Sequence, residues 1–388
     1  MSSKDSFIAD LKQLRRIDDP GLYGEVRCCP LNNNTECAVK IIDLNHYFQS
    51  IGKTVDNQNR NIHFKEIKER LKIIKELTNK NSNINKYLEE TDKENKLYIK
   101  MELCEHNLNT YLNEKKGKEK EKEKGMDIGG IYDILSQLNN VFEAMNKKDI
   151  SHGNIKLNNI LVEKEHNRNT FKLSGFEITP KLINLTKKYR AQEICNYLPP
   201  EILEKKEDFA IDQKTDLWSL GVIIYYLFFR EFPFKGQSCL EVLNSIKQYE
   251  IKKTNFFELD NLIERLLCPK KENRLTWEEY LIHPFFTENG FWKGYNVVIK
   301  IGQGLLSSVY YVKNKNDQRK YALKIIDFRK IGSLKPKPNT LQKDIIEEIK
   351  EKISQMKRLG DKNPVNFVRI FEEFEIKDGI AFTMELKI

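Results

Sequence analysis

The 388-residue chain reads as an α+β protein: a two-lobed domain, β-rich first and helical second, followed by an isolated second copy of the β-rich lobe. Three observations predict this. The chain repeats itself once at long range: ECAVKIIDLNHYF at 36–48 returns as KYALKIIDFRKI at 320–331, FKEIKERLKIIKEL at 64–77 as IEEIKEKISQMKRL at 346–359, and LYIKMEL at 97–103 as IAFTMEL at 380–386. The copies lie 282 to 284 residues apart, too far for a solenoid, so one domain type begins twice. Each copy runs in the same order: a glycine-bearing strand pair, an apolar strand closing on Lys, a charged amphipathic helix, then two more strands. Only the first copy continues into a long, mainly helical stretch, which ends near Phe286. The boundaries that follow are 12–287, with a small lobe at 12–103 and a large lobe at 104–287, and a second small lobe at 293–388. TENGFWKG at 287–294 is the junction, marked by an Asn-Gly turn signal.

Composition narrows the classes. Hydrophobic residues make up 39% and aromatics 10%, enough to build cores and to exclude a wholly disordered chain. The net charge of +9 comes from basic residues spread along the whole chain. This describes a Lys-rich surface rather than a nucleic-acid face. Seven cysteines are scattered, with no C-x-x-C pair, as expected of buried thiols in a reduced, intracellular and cytoplasmic protein. MSSKDSFIADLKQLRR at the start has no apolar core of the secretory kind. The longest apolar run, LWSLGVIIYYLFF at 217–229, is too short to span a bilayer and suits a buried helix, so no membrane is expected. NEKKGKEKEKEKG at 113–125 reads as a solvated insertion or helix end.

The candidate chemistry begins at the glycines. Backbone that closes on a phosphate must do so without a Cβ in the way. DPGLYGEV at 19–26 has Gly21 and Gly24 at the G-x-G-x-x-G spacing, with Asp19 in the first position. IGQGLLSSV at 301–309 has Gly302 and Gly304, with Ser307 in the third. Lys40 follows Val26 by fourteen residues, and Lys324 follows Val309 by fifteen. A lysine fourteen or fifteen residues behind the valine of a glycine turn, found twice, points to a phosphate ligand.

With YLPPEIL at 197–203, TDLWSLGVIIYYL at 215–227 and CPKKENRLTWEEYLIHPFF at 268–286 following in order, the chain resembles the eukaryotic protein kinase family, of the Ser/Thr type. The resemblance implies ATP in the cleft between a small and a large lobe. It implies Gly21, Gly24, Val26 and Ala38 around the nucleotide, Lys40 on its α- and β-phosphates, and Leu161 beneath it. MELCEHNLNTYL at 101–112 implies a hinge, with Met101 behind the base and Glu102 and Cys104 bonding it through backbone. Lys40 is expected to pair with a Glu of the following helix. The family spacing, counted back from Leu77, lands on Arg70, so Glu69, by a one-residue shift, or Glu66 is the candidate. In the second lobe the same reasoning assigns Gly302, Gly304, Val309, Ala322 and Lys324. The resemblance also implies a buried Glu201–Arg274 ion pair and an Asp216 that holds the catalytic loop.

That loop is ISHGNIKLNNILV at 150–162. The family reads His-Arg-Asp-x-Lys-x-x-x-Asn, in which the Asp accepts the substrate proton and the Asn binds a metal ion. His152, Lys156 and Asn159 are kept, whereas Gly153 replaces the Arg and Asn154 the Asp. A carboxamide is no general base. The Asp-Phe-Gly motif becomes Gly175-Phe176-Glu177, so the position that ligates Mg2+ has no side chain. Asn159 is the one metal residue left, and the reading is ATP without a secure Mg2+ site. Without an Arg at 153, a phosphate on Thr179 or Thr186 has lost its receptor.

Three readings follow. The first is a pseudokinase that holds ATP and serves as a regulatory or scaffold module toward a protein partner. The second is a weakly active Ser/Thr kinase using Glu177 or another carboxylate for its metal. The third is a scaffold that binds no nucleotide. The second small lobe has no catalytic loop in this sequence. Its lower face is expected to be apolar, either packed on something, the first domain included, or exposed because the sequence is a piece of a longer chain.

Overall fold

The computed structural model describes residues 15–17, 24–32, 35–50, 57–118, 125–165, 168–177, 192–204, 211–254, 256–286, 294–314, 316–328, 331, 342–376 and 379–386. The contacts divide the chain into two units. One comprises 1–124, 137–255 and 260–280; the other comprises 125–136, 256–259 and 281–388.

In the first unit, β1 (Gly24–Asn32), β2 (Thr35–Ile42), β3 (Tyr87–Lys93) and β4 (Lys96–Glu102) form an antiparallel sheet in the order β1-β2-β4-β3. Period-two alternation sorts β2 between its faces. Ala38 and Ile42 join one core with Leu97, Ile99 and Met101, and Cys37, Val39 and Ile41 join another with Cys29 and Tyr98. Helix α1 (Leu44–Ser50) follows β2 and leads to α2 (Asn57–Thr78). Phe64, Ile67, Leu71 and Ile74 recur along α2 at three- and four-residue steps and are all buried, the stripe of an amphipathic helix. Lys40 does not close its strand, because the buried Ile41 and Ile42 extend β2 beyond it.

A second small sheet, β5 (His106–Asn107), β6 (Ile160–Glu165) and β7 (Arg168–Leu173), lies beyond the strand β4. The loop after α2 is tied to it: Asn85 N–H donates to the Leu173 carbonyl at 2.9 Å and Leu173 N–H to that of Asn83 at 2.7 Å. Six helices carry most of the rest: α3 (Leu108–Lys118), α4 (Ile128–Lys147), α5 (Gln192–Cys195), α6 (Pro200–Glu204), α7 (Gln213–Phe229) and α8 (Cys239–Gln248). The basic tract is partly helix, since α3 runs to Lys118; residues 119–124 lie outside the described residues. Asp212 caps α7 in a capping box with Thr215, and the helix is buried almost all round, as its apolar run predicts. Among the described residues no helix is long and apolar enough to cross a membrane.

Arg274, on the connection from α9 (Phe257–Leu266) to α10 (Trp277–Leu281), meets Glu201 of α6. Its Nη1 and Nη2 donate to Oε1 and Oε2 at 2.8 and 3.0 Å. The guanidinium is fully buried and also donates to the Lys214 and Cys268 carbonyls, so its charge is neutralised and its donors are used.

The second unit holds a five-stranded antiparallel sheet in the order β11-β12-β10-β9-β8, built from β8 (Tyr295–Gln303), β9 (Ser307–Asn314), β10 (Lys320–Asp327), β11 (Ile370–Ile376) and β12 (Gly379–Glu385). The sequence repeat is a repeat of register. Lys40 stands opposite Val26 and Ile99, and Lys324 opposite Val309 and Phe382. Ala38 faces Met101 and Ala322 faces Met384. Lys324, like Lys40, lies inside its strand. Helix α11 (Gln342–Lys362) packs Ile345, Ile346, Ile349 and Ile353 on this sheet. Met356, Leu359, Val365 and Phe367 are exposed.

Removing one partner of the buried Glu201–Arg274 pair strands the other charge. Glu201→Gln is expected to lower unfolding stability by about 3–5 kcal/mol, measured by urea denaturation of the full chain.

Candidate functional site

The described site is built around a cavity of about 250 Å³. Val26, Ala38 and Lys40 line it from β1 and β2, Met101, Glu102 and Cys104 from the hinge, and Asn159, Leu161 and Ser174 from below. Eight of these lining residues, Val26, Ala38, Lys40, Met101, Glu102, Cys104, Asn159 and Leu161, are ones the sequence reading named. Arg15 and Ile17 also line it and were missed, because they precede the glycine turn. Gly21 lies outside the described residues. Gly24 has φ +143°, and a Cβ there would sit 1.7 Å from the Ile41 carbonyl oxygen, so no other residue fits this crossing of β1 and β2.

The hinge is clamped electrostatically. Lys172 on β7 donates to Glu102 at 2.7 Å and also pairs with Glu163. Burial opposes the ammonium charge, but the two carboxylates outweigh it and raise the Lys172 pKa. Burial also pushes the Cys104 thiol up to about 12, and the S–H donates to Asn85 Oδ1 at 3.7 Å.

Below the cavity, Asp216 of α7 accepts the backbone N–H of His152 at 2.6 Å and of Gly153 at 2.7 Å. Burial pushes Asp216 up to about 7 against these donors. His152 is fully buried; its Nε2 lies 3.0 Å from the Ser174 carbonyl, and its Nδ1 accepts Asn154 N–H at 3.1 Å. These partners fix the Nε2–H tautomer. Burial, then the nearby Arg70, holds its pKa down to about 3. The ring packs on Phe176 with centroids 4.4 Å apart. Lys156 is half-buried beside the degenerate base position, and its carbonyl accepts Asn159 N–H.

The metal position does not fit a divalent ion. Asn159 Nδ2 donates to the Asn154 carbonyl at 2.6 Å. Gly175 has φ +92°, and a Cβ on it would lie 2.6 Å from Asn159 Nδ2. Among the described residues no three His, Cys, Asp or Glu side chains gather as a metal site.

The largest departure concerns Lys40. Its ammonium pairs with Glu177, not with a carboxylate of α2. Glu69 points outward, 60% exposed and near Lys65, and Glu66 lies by His63. The α2 position that faces the site is Arg70. Its Nε donates to the Phe176 carbonyl at 2.6 Å, and its Nη2 to those of Ser151 at 2.5 Å and His152 at 2.9 Å. Burial lowers the Arg70 pKa, while Asp216 and Glu177 support its charge. The signal was present in the sequence. The spacing count landed on Arg70, and a carboxylate appears at 177 where the family has Gly. Taken together, the two changes move the partner of Lys40 across the site.

In the second unit, Gly304 N–H donates to the Ser307 carbonyl at 2.7 Å in a tight turn, and Gly302 stands opposite Val309. Ala322 is buried and Lys324 half-buried on β10.

Residues 20–286 match the family described as Protein kinase domain, and the chain belongs to that family. It is 26% identical over 265 residues to the serine/threonine-protein kinase atg1 of Dictyostelium discoideum, a match covering 67% of this chain and 36% of that protein. It is 28% identical over 255 residues to unc-51 of Caenorhabditis elegans, covering 62% and 28%. With ppk34 of Schizosaccharomyces pombe the identity is 32% over 145 residues, covering 37% and 40%. The matches thus span well under half the length of these relatives.

Two predictions follow. Arg70→Met is expected to remove about 2–4 kcal/mol of stability, since charge-assisted hydrogen bonds to buried carbonyls are lost. Arg70→Glu, which recreates the family residue, is expected to cost more, because it turns a carboxylate toward three carbonyl oxygens and Asp216. Denaturation of both variants decides it. His152 gives a pH test. Its folded pKa lies below its unfolded one, so between them the unfolded chain binds more protons and stability falls with falling pH. The advantage of wild type over His152→Phe should therefore shrink by about 2 kcal/mol from pH 7 to pH 5. Asp216, raised in both proteins, cancels in the comparison.

Proposed function

We propose that residues 12–287 form a pseudokinase domain that holds ATP without Mg2+ and acts as a regulatory or scaffold module toward a protein partner. Residues 293–388 would be a second, isolated small lobe. The observation that carries the reading is the charge pattern of the site. Relative to the family, carboxylates are lost at 70, 154 and 175, a cation is gained at 70, and one carboxylate is gained at 177. Phosphoryl transfer relies on a metal ion and a positioned base to manage developing charge. Without them the rate falls by several orders of magnitude. Lys40 remains to meet a phosphate chain, while the usual Mg2+ carboxylate at 175 is gone.

In this reading the base lies between Val26 and Ala38 above and Leu161 below, bonded to the backbone of Glu102 and Cys104. The phosphates meet Lys40 and compete with Glu177 for it. An ATP-rich, intracellular setting goes with such a role. A second reading, a weakly active Ser/Thr kinase, is favoured by one observation: Glu177 is a carboxylate beside Lys40, and once released it could take a metal.

The test is a thermal-shift titration of the full chain with ATP, with and without Mg2+ or Mn2+. At 100 times its dissociation constant a ligand adds about 2.7 kcal/mol of stability. The expected result is a shift that ignores metal and disappears in Lys40→Ala. A shift that requires metal favours the active enzyme, and no shift with any nucleotide leaves a scaffold.

A further inference from the structure

The sequence reading of scattered reduced thiols fails at one place. Cys195, the last residue of α5, and Cys239, the first of α8, form a disulfide 44 residues apart in sequence, with Cα atoms 5.2 Å apart. That separation lies in the usual range for a disulfide. The geometry points to a reversible redox modification site: oxidation joins Cys195 to Cys239 and fastens the stretch ahead of Tyr197 to α8, and reduction releases it.

Three features favour a switch over a structural staple. The two halves are held independently of the bond. Downstream of Cys195, Ser219 Oγ donates to the Tyr197 carbonyl at 2.8 Å, and Glu201 is fixed by Arg274. On the other side, Val242, Leu243 and Ile246 bury α8, and Ser238 caps it. Reduction therefore removes the covalent tie between Cys195 and α8 without removing the anchors of the fold, and Ile194 is left as the packing contact of 192–196 with the cluster of Leu198 and Ile202. The two sulfurs also differ in access. Cys195 is 1% exposed, whereas Cys239 is only half-buried, so a peroxide reaches Cys239 first. Finally, the thiols of Cys28, Cys29, Cys37 and Cys104 are buried, while that of Cys268 is half-buried. Cys29 and Cys37 face each other across β1 and β2, but both are buried, and burial pushes the Cys29 thiol up to about 11.

The chemistry balances with hydrogen peroxide as oxidant and a dithiol as reductant. Cys239 thiolate attacks one peroxide oxygen, the O–O bond breaks, and one water leaves, giving a sulfenic acid. Cys195 sulfur then displaces the sulfenic oxygen as a second water and the S–S bond forms. Two thiols are oxidised and one peroxide is reduced. A dithiol reverses the step by thiol–disulfide exchange.

The test uses the full chain, fully reduced and then treated with stoichiometric peroxide. Non-reducing peptide mapping should link the Cys195 peptide to the Cys239 peptide. Dithiothreitol should undo the link, and Cys239→Ser should abolish it. In hydrogen exchange, the amides of 192–196 should exchange at least tenfold more slowly in the oxidised chain. Thiols that stay free, Cys239 driven to sulfinic acid unpaired, or a Cys29–Cys37 link in its place would overturn the assignment. So would a Cys195–Cys239 link that leaves exchange unchanged. The mapping needs no nucleotide, so its outcome is independent of whether ATP binds.

Discussion

A guanidinium placed among carbonyl oxygens sets the geometry of this site. Arg70 reaches from α2 to the carbonyls of Ser151, His152 and Phe176, so one side chain fixes the helix to the catalytic loop and to the segment that follows β7. A planar fork of donors matches several acceptors at once and keeps its charge when buried. The three carbonyls accept from Nε and Nη2, and Asp216 and Glu177 balance the charge. The same bonds hold Phe176 against His152 and leave Glu177 aimed at Lys40.

From this constraint the chemistry follows. Arg70 occupies the helix position that faces the site, so Lys40 has no carboxylate partner there and turns to Glu177. Glu177 is then spent on an ammonium, and Asn159 on the Asn154 carbonyl. Gly175 has no side chain, and adding one would strike Asn159. Among the described residues of the site, the carboxylate at 177 is paired with Lys40 and position 175 carries none. Meanwhile the supports of the fold are intact: Asp216 holds His152 and Gly153, Lys172 clamps the hinge, and Arg274 neutralises Glu201.

Much of this was legible in the sequence, because the relevant signals are local. The repeat announced a second copy of the same strand and helix order, the segment at 64–77 read as an amphipathic helix, and the residues around the nucleotide came from the family resemblance. What escaped was decided by long reach. Lys40 and Glu177 are 137 residues apart, and nothing in the spacing of α2 says that its partner has moved to another segment. The Cys195–Cys239 pair is of the same kind, since both residues look like isolated thiols until the fold brings α5 beside α8. Where a strand ends is equally a tertiary matter: β2 continues past Lys40 because Ile41 and Ile42 find cores to fill.

The account turns on the exchanged partner of Lys40, and a double-mutant cycle in the full chain tests it most directly. Unfolding stability would be measured for wild type, Lys40→Met, Glu177→Gln and the pair together, with Lys40→Met and Glu69→Gln as a parallel cycle. Residues in contact couple by about 0.5–3 kcal/mol, and distant ones add. A coupling in that range for Lys40 with Glu177, with additivity for Lys40 with Glu69, is the predicted result. Additivity for Glu177 with coupling to Glu69 would restore the ordinary helix pair and contradict the account.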